Sequence, residues 1–139
     1  MTANQDSTKS IIQLMEEYTK LTNRDEWQKA LPIIETIVQQ NTKMSTSWFN
    51  YGVCLDALKQ YEKAAKSFIT AYELNPEDYG AQYRIYRSLN LAKDTIGFVD
   101  FLIKDIKVVP EIGDLLMEEP EFKSMTSNPQ VKKILNGTH

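Results

Sequence analysis

At 139 residues, 42% of them hydrophobic and 25% charged, the chain has the size and make-up of one soluble domain with a single core. A net charge of −3 gives no sequence-wide attraction to nucleic acid or to an anionic membrane. No apolar run approaches the roughly 18 residues that cross a bilayer, and the polar opening MTANQDSTKS lacks the apolar middle of a secretory signal. One cysteine, Cys54, and one histidine, the terminal His139, rule out an intrachain disulfide, a Cys/His metal cluster and a firmly held Ser-His or Cys-His pair. The reading is a cytoplasmic protein that is not an enzyme, with no cofactor and no metal.

In chain order, residues 1–9 read as a flexible N-terminus. IIQLMEEYTKL (11–21) carries apolar residues at helical spacing, and Ser10 with Gln13 forms a capping box. EWQKALPIIETIVQQ (26–40) is a second helix, in which Pro32 is expected to make a kink. TSWFNYGVCLDALKQ (46–60), YEKAAKSFITAYEL (61–74), YGAQYRIYRSLNL (79–91) and IGFVDFLIKDIK (96–107) follow, and no stretch alternates as a half-buried strand does. Between 110 and 135 the pattern gives three short helices, with Asn128 as an N-cap and Pro129 as a first helical residue. Ile112, Leu115, Leu116, Phe122, Met125, Val131, Ile134 and Leu135 are expected to turn inward there.

One residue resists the helical pattern. Gly52 lies on the apolar stripe Trp48, Tyr51, Gly52, Leu55, although glycine costs up to about 1 kcal/mol relative to alanine inside a helix. The stripe continues through Ala64, Phe68, Ala71 and Pro76, and this set resembles the tetratricopeptide repeat (TPR) pattern W-x2-L-G-x2-Y…A-x3-F…P. Six of eight markers agree by identity, while Tyr51 and Leu55 exchange Leu and Tyr. The resemblance implies that the glycine lets the first helix close on Ala64 and Phe68.

A period of 34 residues then implies repeats at 11–44, 45–78 and 79–109, the outer two divergent, with residues 110–139 as capping helices and tail. The first offers Leu14, Tyr18, Leu21, Trp27, Ala30, Ile34 and Ile37; the third has Tyr86 in the glycine's place and Phe98 where alanine is expected. Gly97 fits the third repeat better if its turn is one residue shorter. The implied fold is all-α, a TPR-type α-solenoid of antiparallel helical hairpins with a short C-terminal helical cap. The tail resembles both the Leu-acidic-Pro-Phe…Asn-Pro-x-Val-x-x-Leu endings that follow TPR arrays and the Asp/Asn-Pro helical motifs of co-chaperone domains. It is expected to cover the open end of the array.

In this family the first helices line a concave groove, so the resemblance implies a groove face rotated away from the packed stripe. It would carry Ile12, Met15, Glu16, Thr19, Thr22 and Asn23 in the first repeat and Thr46, Phe49, Asn50, Val53, Asp56 and Ala57 in the second. The third would contribute Gly80, Tyr83, Arg84, Arg87 and Asn90. Phe49, Asn50, Val53, Tyr83, Arg84 and Arg87 are the candidate peptide-binding residues, combining aromatic anchors with guanidinium donors. Alternatively Phe49 and Tyr83 pack on each other or lie under the tail. The carboxylate clamp of co-chaperone TPR domains would fall on Met15, Thr19, Asn50, Gly80 and Arg84; only Asn50 and Arg84 agree, so a full clamp is not expected. The implied function is recognition of a peptide or helix of a partner protein, as a scaffold or co-chaperone-like adaptor. The alternatives are a homo-oligomerisation element or a small secretion-type chaperone.

Overall fold

The computed structural model describes residues 9–137, so the N-terminal stretch up to residue 8 and His139 lie outside the described residues. Helix α1 (Ile11–Asn23) begins at the expected capping box: the Ser10 hydroxyl accepts from the Gln13 N–H, and the Gln13 side chain accepts from the Ser10 N–H. Helices α2 (Trp27–Gln40), α3 (Ser45–Ala57), α4 (Tyr61–Leu74), α5 (Tyr79–Leu91) and α6 (Thr95–Val108) follow. The described residues contain helices and turns and no strand. Helix α2 runs unbroken through Pro32, whose solvent-facing position leaves the missing N–H bond to water.

The repeat is most regular where the sequence signals it least. Asp25, Lys59 and Lys93, spaced by 34 residues, all have positive φ, at 58°, 61° and 57°. Each ends a first helix in the same double-bonded turn. The N–H groups of Glu26, Gln60 and Asp94 donate back to the carbonyls of Leu21, Leu55 and Leu89 at 2.9, 2.8 and 3.0 Å. This is the Schellman closure usually made by glycine, here made by charged residues. Two sequence expectations are corrected by it. Helix α3 stops at Ala57 rather than running on to Gln60. The third turn is not shortened, because α6 starts at Thr95, 34 residues after the Tyr61 that starts α4. Gly97 has another reason: its N–H donates to the Asp94 cap, and a Cβ there would lie 2.5 Å from Asp94 Oδ2.

The described chain divides into two compact units, one ending at Ile85 and the other beginning at Tyr86. In the first, α1 packs on α2, α2 on α3 and α3 on α4. Its core includes Leu14, Tyr18, Ala30, Ile34, Ile37, Cys54, Leu55, Ala64, Phe68 and Ala71, all buried. Gly52 stands against the face of Phe68: an added Cβ would come within 2.6 Å of the ring. Trp48 and Tyr51 are half-buried, each sending its polar end outward, to the Thr42 carbonyl at 2.8 Å and to Glu35 at 3.1 Å.

In the second unit, Tyr86 occupies the place that Gly52 has in the first. Its ring packs edge-on against Phe98, 5.2 Å away, and its hydroxyl donates to the buried Asp105 carboxylate at 2.7 Å. The C-terminal segment folds as α7 (Ile112–Glu118), a 3₁₀ turn (Pro120–Phe122), α8 (Lys123–Thr126) and α9 (Pro129–Asn136), the last capped by Asn128 as the sequence indicates. Helices α7 and α9 both pack on α6. Ile112, Leu116, Phe122, Met125, Val131 and Leu135 are buried and Ile134 partly so, but Leu115 is 52% exposed, contrary to expectation. Seven residues of helix present one narrow apolar stripe, and Ile112 with Leu116, one turn apart, fill it.

Candidate functional site

Two bonds bring the first helices of the first unit side by side. The Tyr18 hydroxyl on α1 donates to the Asn50 carbonyl on α3 at 2.9 Å. The Arg84 guanidinium on α5 lies over the Phe49 ring on α3, 5.4 Å from its centre, and 5.8 Å from the centre of Phe68 on α4. Side chains that α1, α3 and the opening turns of α5 turn away from α2 and α4 therefore share one face. Asp78 starts α5 there by accepting from the Ala81 N–H at 3.0 Å.

The candidate residues occupy unequal positions on that face. Phe49 is half-buried, and its ring stands edge-on to the buried Phe68 at 5.4 Å. It is partly a core residue rather than a free aromatic. Asn50 and Val53 are half-buried beside it, and among the described residues the Asn50 side chain makes no hydrogen bond. Tyr83 is 43% exposed, while Arg84 is half-buried by its stacking and has no carboxylate partner among the described residues. Arg87 follows Arg84 by one turn of α5 and belongs to the second unit.

Asn90, expected on the groove face, is engaged by the tail. Its amide donates to the Glu121 carbonyl at 3.0 Å, and its carbonyl accepts from Ser124 at 3.4 Å. The C-terminal segment thus covers the last turn of α5. Sequence reading could not find this, because the partner lies more than thirty residues away in a stretch with no repeat to align.

The titratable groups under the face serve packing. Burial pushes the Cys54 thiol up to about 11, with the Glu35 carboxylate adding to the effect, and its Sγ lies 3.4 Å from the Trp27 carbonyl. Burial, then Cys54, raises Tyr18; burial, then the charge and hydrogen bond of Glu35, raises Tyr51. A thiol so placed is a poor nucleophile. Iodoacetamide is expected to alkylate Cys54 in the native protein at about pH 8 at least a hundredfold more slowly than in urea, measured by mass spectrometry. Comparable rates would show that the site opens readily. Among the described residues no group of three or more His, Cys, Asp or Glu side chains is placed to hold a metal ion. No described helix is long and apolar enough to cross a membrane.

Residues 45–78, the hairpin of α3 and α4, match the tetratricopeptide repeat family. With the paired helices on either side of it and the 34-residue recurrence of the turns, the chain is a tetratricopeptide repeat protein, built on a module that mediates contacts between proteins. It is 29% identical over 72 residues to Protein O-mannosyl-transferase TMTC3 of Mus musculus and, equally, to the protein of that name from Homo sapiens. The similarity takes in 50% of this chain but spans 8% of those relatives' length.

Proposed function

We propose that this chain is a non-enzymatic, cytoplasmic adaptor that takes a peptide or helical segment of a partner protein along the shared face of α1, α3 and the first half of α5. Phe49, Asn50, Val53, Tyr83 and Arg84 would make the contacts; Arg87, in the second unit, is left outside the site. The observation that carries this reading is Arg84 over Phe49. Stacking fixes the guanidinium in place while leaving its N–H groups without a carboxylate partner among the described residues, so that a peptide carbonyl or carboxylate can take them at little further cost in side-chain entropy. The unbonded Asn50 amide beside it supplies a donor and an acceptor that match an extended backbone.

The test is affinity capture of partners from native lysate with the full chain and with the variant Asn50→Ala/Tyr83→Ala. Capture of the specific partner is expected to fall at least about tenfold, with the melting temperature close to that of the parent. Equal capture by both proteins would refute the site. Phe49 is a poor choice for this test, since its ring rests on Phe68 and truncation removes core packing as well as surface.

A further inference from the structure

A second surface of the first unit lies on the α3–α4 hairpin, away from the Phe49 face. A shallow groove of about 230 Å³ is lined by Trp48, Tyr51 and Leu55 of α3 and by Lys63, Lys66 and Thr70 of α4. That volume is below the usual range of a small-molecule pocket and suits one bulky side chain. The Trp48 and Tyr51 rings sit 6.1 Å apart at 44°, and their polar ends are already bonded, to the Thr42 carbonyl and to Glu35. The hydroxyls are occupied as well: Ser67 donates to the Trp48 carbonyl at 2.6 Å and Thr70 to the Lys66 carbonyl at 3.1 Å. What the groove offers outward is ring surface and two ammonium groups.

Those ammonium groups decide the occupant. Lys63 and Lys66 are exposed, and neither has a carboxylate partner among the described residues. The lining contains no Asp or Glu, and Glu35 is held at the Tyr51 hydroxyl. On a chain of net charge −3 this is a local reversal of sign. We propose that this groove is a second docking site, for an acidic segment of a partner protein that inserts an aromatic or large aliphatic side chain between Trp48 and Tyr51. Its flanking carboxylates then meet Lys63 and Lys66, which act as flexible point charges rather than as a bidentate clamp. The binding is salt-sensitive because both charges face water.

The probe is a fluorescein-labelled synthetic peptide of one phenylalanine flanked by glutamates, with a lysine-flanked control, followed by fluorescence anisotropy on the full chain. The acidic peptide is expected to bind and the basic one not. Affinity should fall at least about tenfold in Lys63→Glu/Lys66→Glu, persist in Lys63→Arg/Lys66→Arg and weaken as salt rises. Both lysines are exposed, so these variants are expected to fold, as circular dichroism would verify. Binding unchanged by the charge reversal overturns the proposal, as does equal binding of the two peptides. Loss of binding in Asn50→Ala/Tyr83→Ala instead would move the acidic peptide to the other face and also overturn it. Sedimentation velocity provides the last arm: a self-associated form that the charge reversal dissolves makes a second copy of this chain the occupant, which again overturns the proposal.

Discussion

Gly52→Ala is expected to destabilise the protein by about 1–3 kcal/mol, read as a lower urea midpoint with unchanged slope. At an exposed helical site the same change would stabilise by up to about 1 kcal/mol, so the sign itself is informative. The cause is local. The new Cβ would lie 2.6 Å from two Phe68 ring carbons and 2.8 Å from a third, and Phe68 is fully buried with no room to retreat. Trimming the ring should relieve the clash. In the cycle with Phe68→Leu, the alanine is expected to cost at least about 1 kcal/mol less than it does beside phenylalanine. A stabilising Gly52→Ala, or a cycle that closes additively, would show that the close approach of α3 and α4 is not what selects glycine.

The second large effect is expected at Tyr86. Tyr86→Phe keeps the ring contacts with Phe98 and Phe101 and removes only the hydroxyl that donates to Asp105. Asp105 is 4% exposed, so its carboxylate loses a donor that water cannot fully replace. A loss of about 1.5–3 kcal/mol is expected, measured by thermal or chemical unfolding. Replacing both members, as Tyr86→Phe/Asp105→Leu, should cost less than the single change, because no buried charge is then left short of a partner. If Tyr86→Phe leaves stability unchanged, the bond is not supporting the fold.

The helices were legible in the sequence because apolar spacing and the 34-residue recurrence agree with each other over the central hairpin. Trp48, Gly52, Ala64, Phe68 and Ala71 carry side-chain sizes that only one packing satisfies. The turns were less legible: Asp25, Lys59 and Lys93 adopt the left-handed conformation without the glycine that ordinarily advertises it. Leu115 and Leu116 are adjacent and equally apolar, so which of them a short helix buries depends on the surface it meets. The face itself could be anticipated from helical rotation, but not the stacking of Arg84 on Phe49 or the tie between Asn90 and the tail. Both join residues far apart in the chain, and periodicity is blind to such pairs.

The three hairpins share one backbone design, down to the same closing turn, and a chain of near-identical parts faces the danger of threading them wrongly. Here the residues that meet inside each hairpin trade size in opposite directions. Tyr18 comes with Ala30 and Ile34, Gly52 with Ala64 and Phe68, and Tyr86 with Phe98 and Leu102, each set offset from the next by 34 positions. A first helix carrying tyrosine cannot close on the helix that carries Phe68 without two rings claiming one space. A first helix carrying glycine would leave a hollow against a smaller side chain. The exchange of bulk therefore acts as an address, giving each half-hairpin one mate among three candidates and setting the order of assembly before any partner protein is met.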